Sequence, residues 1–254
     1  MADSGTASAL VTGGAGGIGH SLGRMLAQRG HAVVLADLDT EHGPTVAARI
    51  GGRFVAADVR DEESVAAAVA AAEELGPVRT VFLNAGTSAG RVPIHEVAVD
   101  DYRRVFGVNV DGVFLGIRAA VPALRRAGGG AIVATASLAG VAAWPGDPVY
   151  VASKHAVVGM VQSSAPDLVE YGIKLSAVCP GFVDTPMVSE EFRTSGFPLL
   201  AAEEVATALM DAAENAEPGE LRIVQPGIGA VQYQPRRVPA ARAADGSKPP
   251  VPGG

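Results

Sequence analysis

Short, β-branched apolar runs alternate along the chain with longer stretches in which apolar positions recur at helical spacing. Ala9–Thr12, His31–Asp37, Arg53–Asp58, Thr80–Asn84, Ala131–Ala136, Lys174–Cys179 and Leu221–Val224 read as strands. Most are nearly continuous in apolar residues, the pattern of strands covered on both faces in a parallel sheet. Between them Gly17–Arg29, Thr40–Ile50, Asp61–Leu75, Asp100–Ala127, Tyr150–Tyr171 and Ala201–Glu214 carry helical periodicity, with Asp61 placed to cap the third. Regular β–α alternation predicts an α/β fold: a single doubly wound, Rossmann-type domain with a parallel sheet of about seven strands flanked by helices.

Two places break the pattern. Pro166 falls inside the stretch after Tyr150, where a proline kinks or shortens a helix. From Gln234 the chain is rich in Pro, Ala, Gly and Arg without periodicity. The expected division is therefore a dinucleotide-binding and catalytic domain over 1–233 and an irregular tail over 234–254.

Composition narrows the picture. Apolar residues make up 48% of 254 and charged residues 19%, a globular balance that suffices for one substantial core. Alanine and glycine dominate and aromatics are few, which favours close helix-on-sheet packing. The net charge of −7 leaves no basic stripe for phosphate backbones, so a nucleic-acid partner is not expected. No unbroken apolar run of membrane-spanning length and no secretory leader pattern appear, and Cys179 is the only cysteine. Together these point to a soluble protein of the reducing cytoplasm.

Candidate chemistry begins after the first strand, at Thr12-Gly13-Gly14-Ala15-Gly16-Gly17-Ile18-Gly19, with a helix opening at its end. Glycines permit a tight turn and close backbone approach to a pyrophosphate, and the helix N-terminus offers unpaired N–H groups to the anion. Asp37 closes the second strand, about 20 residues on, where a carboxylate can accept both hydroxyls of an adenosine ribose. A 2′-phosphate there would meet its charge, and the next residue is Leu38 rather than an arginine. NAD is thereby favoured over NADP.

Tyr150 and Lys154 stand at i and i+4, on one face of a helix. Free tyrosine titrates near ~10 and lysine near ~10.4, and a neighbouring ammonium is expected to draw the phenol toward neutrality, making it a usable general acid or base. Ser137 follows the apolar strand Ala131–Ala136, at the carboxyl end of a parallel strand, where open α/β sheets bind ligands.

In this order and at these spacings the chain resembles the short-chain dehydrogenases/reductases, through about Pro226. The resemblance rests on Thr12–Gly19, Asn84-Ala85-Gly86, Asn109, Ser137, Tyr150 with Lys154, and Pro180-Gly181-Phe182-Val183-Asp184-Thr185. It implies that Tyr150 exchanges a proton with the substrate oxygen, that Ser137 polarises that oxygen, and that Lys154 tunes Tyr150 and holds the nicotinamide ribose. Asn109 would hold a proton-relay water through its backbone. Asp58 and Val59 would contact adenine, Asn84 to Gly86 would line the cofactor, and Val183 and Thr185 would fix the carboxamide. The resemblance also implies a homotetramer or homodimer built on the helices Asp100–Ala127 and Tyr150–Tyr171.

Trp144, Met187 and Phe192 are candidates for the substrate pocket, in a lid segment (Pro186–Leu200) that is short and apolar. The five histidines lack metal-ligand spacing, so no metal is expected, and Cys179 reads as an inert core thiol. The expected activity is NAD-dependent interconversion of a hydrophobic secondary alcohol and its ketone. An NADPH-dependent ketoreductase of 3-ketoacyl or polyketide type, and a dinucleotide sensor without turnover, remain open alternatives.

Overall fold

Parallel neighbours cannot be joined by tight turns, so each strand hands the chain to a helix that crosses the sheet and returns it to the same end. The computed structural model describes residues 6–235, and shows this arrangement from β1 to β7. The order is β1 (Ser8–Thr12), α1 (Gly17–Gln28), β2 (Ala32–Asp37), α2 (Gly43–Arg49), β3 (Arg53–Ala56), α3 (Glu62–Glu73) and β4 (Val78–Leu83). Then come α4 (Val99–Phe106), a π-helical turn (Gly107–Asp111), α5 (Gly112–Arg126), β5 (Gly130–Thr135), α6 (Pro148–Leu168) and β6 (Ile173–Pro180). The short α7 (Glu190–Thr194), α8 (Ala202–Asn215), β7 (Leu221–Gln225) and β8 (Gly229–Tyr233) complete it.

The sheet runs β3-β2-β1-β4-β5-β6-β7-β8, parallel except for β8, which pairs antiparallel with β7. The eighth strand is an addition to the seven expected. Of the expected irregular tail, residues 236–254 lie outside the described residues.

Successive strand residues face opposite layers, and the two cores separate accordingly. Leu10, Val34, Leu83 and Ile132 point into one buried cluster, and Val11, Leu35, Phe82 and Val133 into the other. Burial of each such side chain contributes about 1.5–3 kcal/mol. Small residues set the layer spacing: a Cβ at Gly116 of α5 would come within 2.3 Å of Leu83 Cδ2 on β4.

Three expectations are modified. The stretch expected as one helix over Asp100–Ala127 is α4, a π-helical turn and α5. Pro166 lies in the last turn of α6, so the distortion it causes falls at the helix end, and the chain tightens into a 3₁₀ turn at Val169–Tyr171. Although no unbroken apolar run marks it, Val99–Arg126 is long and apolar enough to match a membrane-spanning helix by those measures alone. Here α5 packs against α3 and β4, and Arg118 and Arg126 reach Glu62 and Glu73 on α3.

Candidate active site

The strand order reverses between β1 and β4, and the loops after these two strands meet in the crevice at their carboxyl ends. Gly13 leaves β1 at φ +65°, and a Cβ there would stand 2.9 Å from Ala85 Cα. The loop then folds so tightly that a Cβ at Gly19 would sit 2.1 Å from the Gly13 carbonyl oxygen. Gly16 caps α1 with no side-chain bond, and the first turn (Gly17, Ile18, Gly19) carries no acid. Its N–H groups and dipole end are thus left for an anion. A Cβ at Gly17 would lie 3.6 Å from Thr185 Cγ2, so the segment after β6 closes over the loop. This cradle fits the pyrophosphate of a dinucleotide.

Asp37, at the end of β2, accepts from Ala15 N at 2.9 Å and from Asp39 N at 3.1 Å. It braces the glycine loop and keeps lone pairs for ribose hydroxyls, beside an exposed Leu38. Asp58 is more committed than expected. Its carboxylate takes Arg60 N, Nε and Nη2 at 2.9, 3.0 and 2.6 Å, and this pairing holds it below the usual carboxylate range. Val59 is buried against Gly112, at the start of α5.

A chain of hydrogen bonds stitches the strand ends together. Asn84 N and Ala85 N both donate to Thr12 Oγ1, at 3.0 and 3.2 Å, and Asn84 Nδ2 reaches Gly13 O at 3.3 Å. Thr135 Oγ1 donates to Asn84 Oδ1 at 3.0 Å, and Lys154 Nζ donates to Thr135 O at 2.8 Å. Lys154 is almost fully buried, with its ammonium 5.6 Å from the Tyr150 ring centre. The π-helical turn carries Asn109, fully buried, whose Oδ1 accepts Thr87 N at 2.8 Å. Its Nδ2 donates to Thr87 O and to Ser153 Oγ, both at 2.9 Å. A Cβ on Gly86 would be 3.5 Å from both Asn109 Oδ1 and Lys154 Nζ, so these three converge. Ser137, at the exit of β5, faces the Tyr150 phenol, and its Oγ accepts Ala139 N at 3.1 Å.

The electrostatics of the pair differ from expectation. Burial pushes Tyr150 up to about 12, with the Ser137 side chain acting in the opposite direction and Asp147 adding to the rise. Burial pulls Lys154 down to about 8. The sequence suggested a phenol drawn toward neutrality. Desolvation of the phenolate outweighs the lysine, which is itself desolvated and turned toward Thr135 O.

Several participants were not singled out by the sequence reading. Asp147 Oδ1 caps α6 by accepting Tyr150 N at 3.0 Å, and its Oδ2 accepts the Ser88 hydroxyl at 2.6 Å. An aspartate directly before a helix-opening proline, Pro148, is the sequence signature that would have found it. Arg104 Nη1 holds Thr87 Oγ1 at 2.7 Å, and Ser153 Oγ donates to Tyr150 O at 2.7 Å. Cys179, expected as an inert core thiol, is fully buried and pushed up to about 11 by burial. It lies beneath the site, with Ser137 and Lys154 near its thiol.

Of the pocket candidates, Trp144 meets Phe182 edge-on at 5.1 Å, and Phe182 stacks on Phe192 at 4.3 Å with Phe197 at 5.4 Å. Met187, on the same segment, is exposed. That segment is tied at its neck by a bridge between Val183 and Leu200, with Leu200 N on Phe182 O at 2.8 Å and Asp184 N on Leu200 O at 2.9 Å. Pro180 ends β6, Gly181 N bonds Val224 O at 2.9 Å, and Arg193 holds the Thr185 carbonyl. Among the described residues no cluster of three or more metal-ligating side chains occurs.

Comparison with known proteins agrees with this fold. The profile of the short chain dehydrogenase family matches residues 7–196. A cyclohexanol dehydrogenase of Acinetobacter sp. (strain SE19) is 38% identical over 188 residues, 72% of this chain and 75% of the relative. A mitochondrial borneol dehydrogenase of Lavandula x intermedia is 36% identical over 210 residues, 80% of this chain and 81% of the relative. A 3-ketoacyl-(acyl-carrier-protein) reductase of Brucella melitensis, solved with NADH, superposes with a TM-score of 0.81 at 30% identity, covering 88% of this chain and 98% of that one.

Proposed function

Because the chain belongs to the short-chain dehydrogenases and is an oxidoreductase of CH–OH groups, we propose that it oxidises a cyclic secondary alcohol to the ketone with NAD. The observation that carries the reading is the convergence of Ser137, Tyr150 and Lys154 with Gly86 and Asn109 beside the glycine cradle. When bound, the dinucleotide supplies hydride exchange at its nicotinamide ring. Gly13 and Gly17 to Gly19 would hold its pyrophosphate and Asp37 its adenosine ribose. Asp58, Val59 and Asn84 to Gly86 would line the adenine half and the crevice, and Pro180, Gly181, Val183 and Thr185 the nicotinamide end.

Ser137 donates to the substrate oxygen and steadies its developing charge, while Tyr150 takes or gives the proton on that oxygen. Lys154 would hold the nicotinamide ribose beside Tyr150, and Asn109 fixes the turn that faces them. The wall of Trp144, Phe182, Phe192 and Phe197 presents an apolar face that suits a compact apolar ring. The two relatives named for cyclohexanol and borneol support a cyclic alcohol. The carboxylate at Asp37 with Leu38 behind it supports NAD.

The proton state of Tyr150 favours a second reading, ketone reduction. Tyr150, held near 12, stands as a proton donor at neutral pH, and a structural neighbour is a ketoacyl reductase. Exposed Val99, Tyr102 and Phe114 along α4 and α5 support self-association into a dimer or tetramer. The lone free cysteine, Cys179, fits a reducing cytoplasm.

The test is a fluorescence titration with NADH and NADPH, followed by assay of cyclohexanol and borneol with NAD. Tighter NADH binding with turnover of either alcohol supports the proposal. Tighter NADPH binding moves ketone reduction to first place. Tight binding with no turnover of any alcohol or ketone leaves a sensor.

A further inference from the structure

A second depression, of about 420 Å³, shares Trp144 with the aromatic wall. Arg91, Val92 and Ile94, from the loop after β4, line one side, and Trp144, Pro145 and Pro148, from the segment leading into α6, line the other. Pro148 opens the helix that carries Tyr150 two residues later, about 3 Å along its axis. Ser88 on the loop of Arg91 and Asp147 beside Gly146 join the two sides of the depression to the first turn of α6, so it adjoins the segments that place Tyr150.

We propose that this pocket binds a carboxylate carried on the apolar body of the substrate, with Arg91 as the group that recognises it. This deepens the alcohol-dehydrogenase reading and rests on it.

Four observations carry the assignment. Arg91 has no ion pair or hydrogen bond among the described residues, whereas Arg103 and Arg104 on the neighbouring α4 are paired with Asp100 and Asp101. The nearest acid along the facing segment, Asp147, is spent on Ser88 and on the backbone of Tyr150, so no internal counterion is offered. Gly146, at φ +122°, leaves its Cα bare under Arg91, and a Cβ there would stand 3.3 Å from Arg91 Nε. The guanidinium is thus seated along backbone rather than against a side chain. Finally, the walls are apolar and open: Ile94 and Trp144 are 65% and 45% exposed.

A guanidinium presents parallel N–H donors that match a carboxylate, and apolar surroundings strengthen the pairing relative to open water. In a chain of net charge −7, an anion needs such a local cation to be held near the surface. The chemical class that fits is a hydroxylated alicyclic carboxylic acid. Its ring would lie against Trp144, its acid on Arg91 and its hydroxyl toward Tyr150.

Wild type, Arg91→Ala and Arg91→Lys are assayed with NAD on cyclohexanol and on 4-hydroxycyclohexanecarboxylate. Binding of cyclohexanecarboxylate, which has no hydroxyl to oxidise, is measured by calorimetry with NADH present. Arg91→Ala should raise KM for the hydroxy acid about tenfold while kcat stays within about twofold, and leave cyclohexanol within about twofold. Arg91→Lys should recover part of the loss, and calorimetric binding should weaken in parallel. Equal changes for both alcohols, or none for the acid, overturn the proposal. Should wild type oxidise neither alcohol, the functional reading fails by itself and calorimetry decides the pocket. Acid bound by wild type and lost in Arg91→Ala supports it, and acid bound equally by both, or by neither, overturns it.

Discussion

The Ser88 hydroxyl donates to Asp147 at 2.6 Å, while the other oxygen of that carboxylate receives the backbone N–H of Tyr150 at 3.0 Å. One side chain thus ties the loop after β4 to the first turn of α6 and fixes where the phenol begins. Asp147→Ala should cost about 1 kcal/mol of stability, as loss of a helix cap does. It should also lower kcat for the alcohol with NADH affinity unchanged. Asp147→Asn keeps the cap but removes the charge that raises Tyr150, so its oxidation profile should move to lower pH. A profile identical to wild type would remove Asp147 from the electrostatics of the site.

Tyr150→Phe removes the only proton-exchanging group placed against Ser137. Turnover should fall about a thousandfold, with NADH affinity within about threefold of wild type by fluorescence titration. Retention of most of the activity would transfer the proton role to another group.

Asp37 braces Ala15 N and stands where the adenosine ribose is expected. Its replacement by alanine should weaken NADH binding about tenfold, the scale of hydrogen bonds to a charged acceptor, and NADPH binding less. An unchanged ratio of the two dissociation constants would mean that cofactor choice lies elsewhere.

The pH dependence follows from Tyr150 lying near 12. Below that value the phenolate fraction rises about tenfold per unit. Alcohol oxidation, which needs the base form, should therefore climb from pH 6 toward pH 9. Ketone reduction, which needs the phenol, should stay level over the same range. Initial rates in both directions across one buffer series check this, and a flat oxidation profile contradicts Tyr150 as the base.

What the sequence makes legible is what local chemistry decides. The glycines at Gly13 and Gly19 are demanded by contacts of 2.9 and 2.1 Å within the loop itself, and Ser137 and Tyr150 fall together because a strand end and a helix start are both readable. The π-helical turn at Asn109 is not readable, because its extra residue is set by packing against Thr87 and Ser153 from elsewhere in the chain. β8 escapes for a different reason. Gly229–Tyr233 is short and mostly exposed, so its alternation is faint, although Pro226-Gly227 before it is a turn signal. The direction of the Tyr150 shift is not readable, because adjacency along a helix says nothing about how deeply both partners are buried.

The neck formed by Val183 and Leu200 bears on how this enzyme could change. A loop whose ends are already tied together pays its closure entropy once, and each doubling of its length adds only about 0.6 kcal/mol. Residues 186–199, beyond Thr185, can therefore be lengthened, shortened or exchanged as a cassette while Tyr150, Lys154 and the glycine loop keep their places. Phe192 and Phe197 ride on that cassette, and Trp144 and Phe182 stand outside it. Half of the aromatic wall is thereby free to diverge against a fixed half, a division of labour in which new specificities arise without disturbing the chemistry.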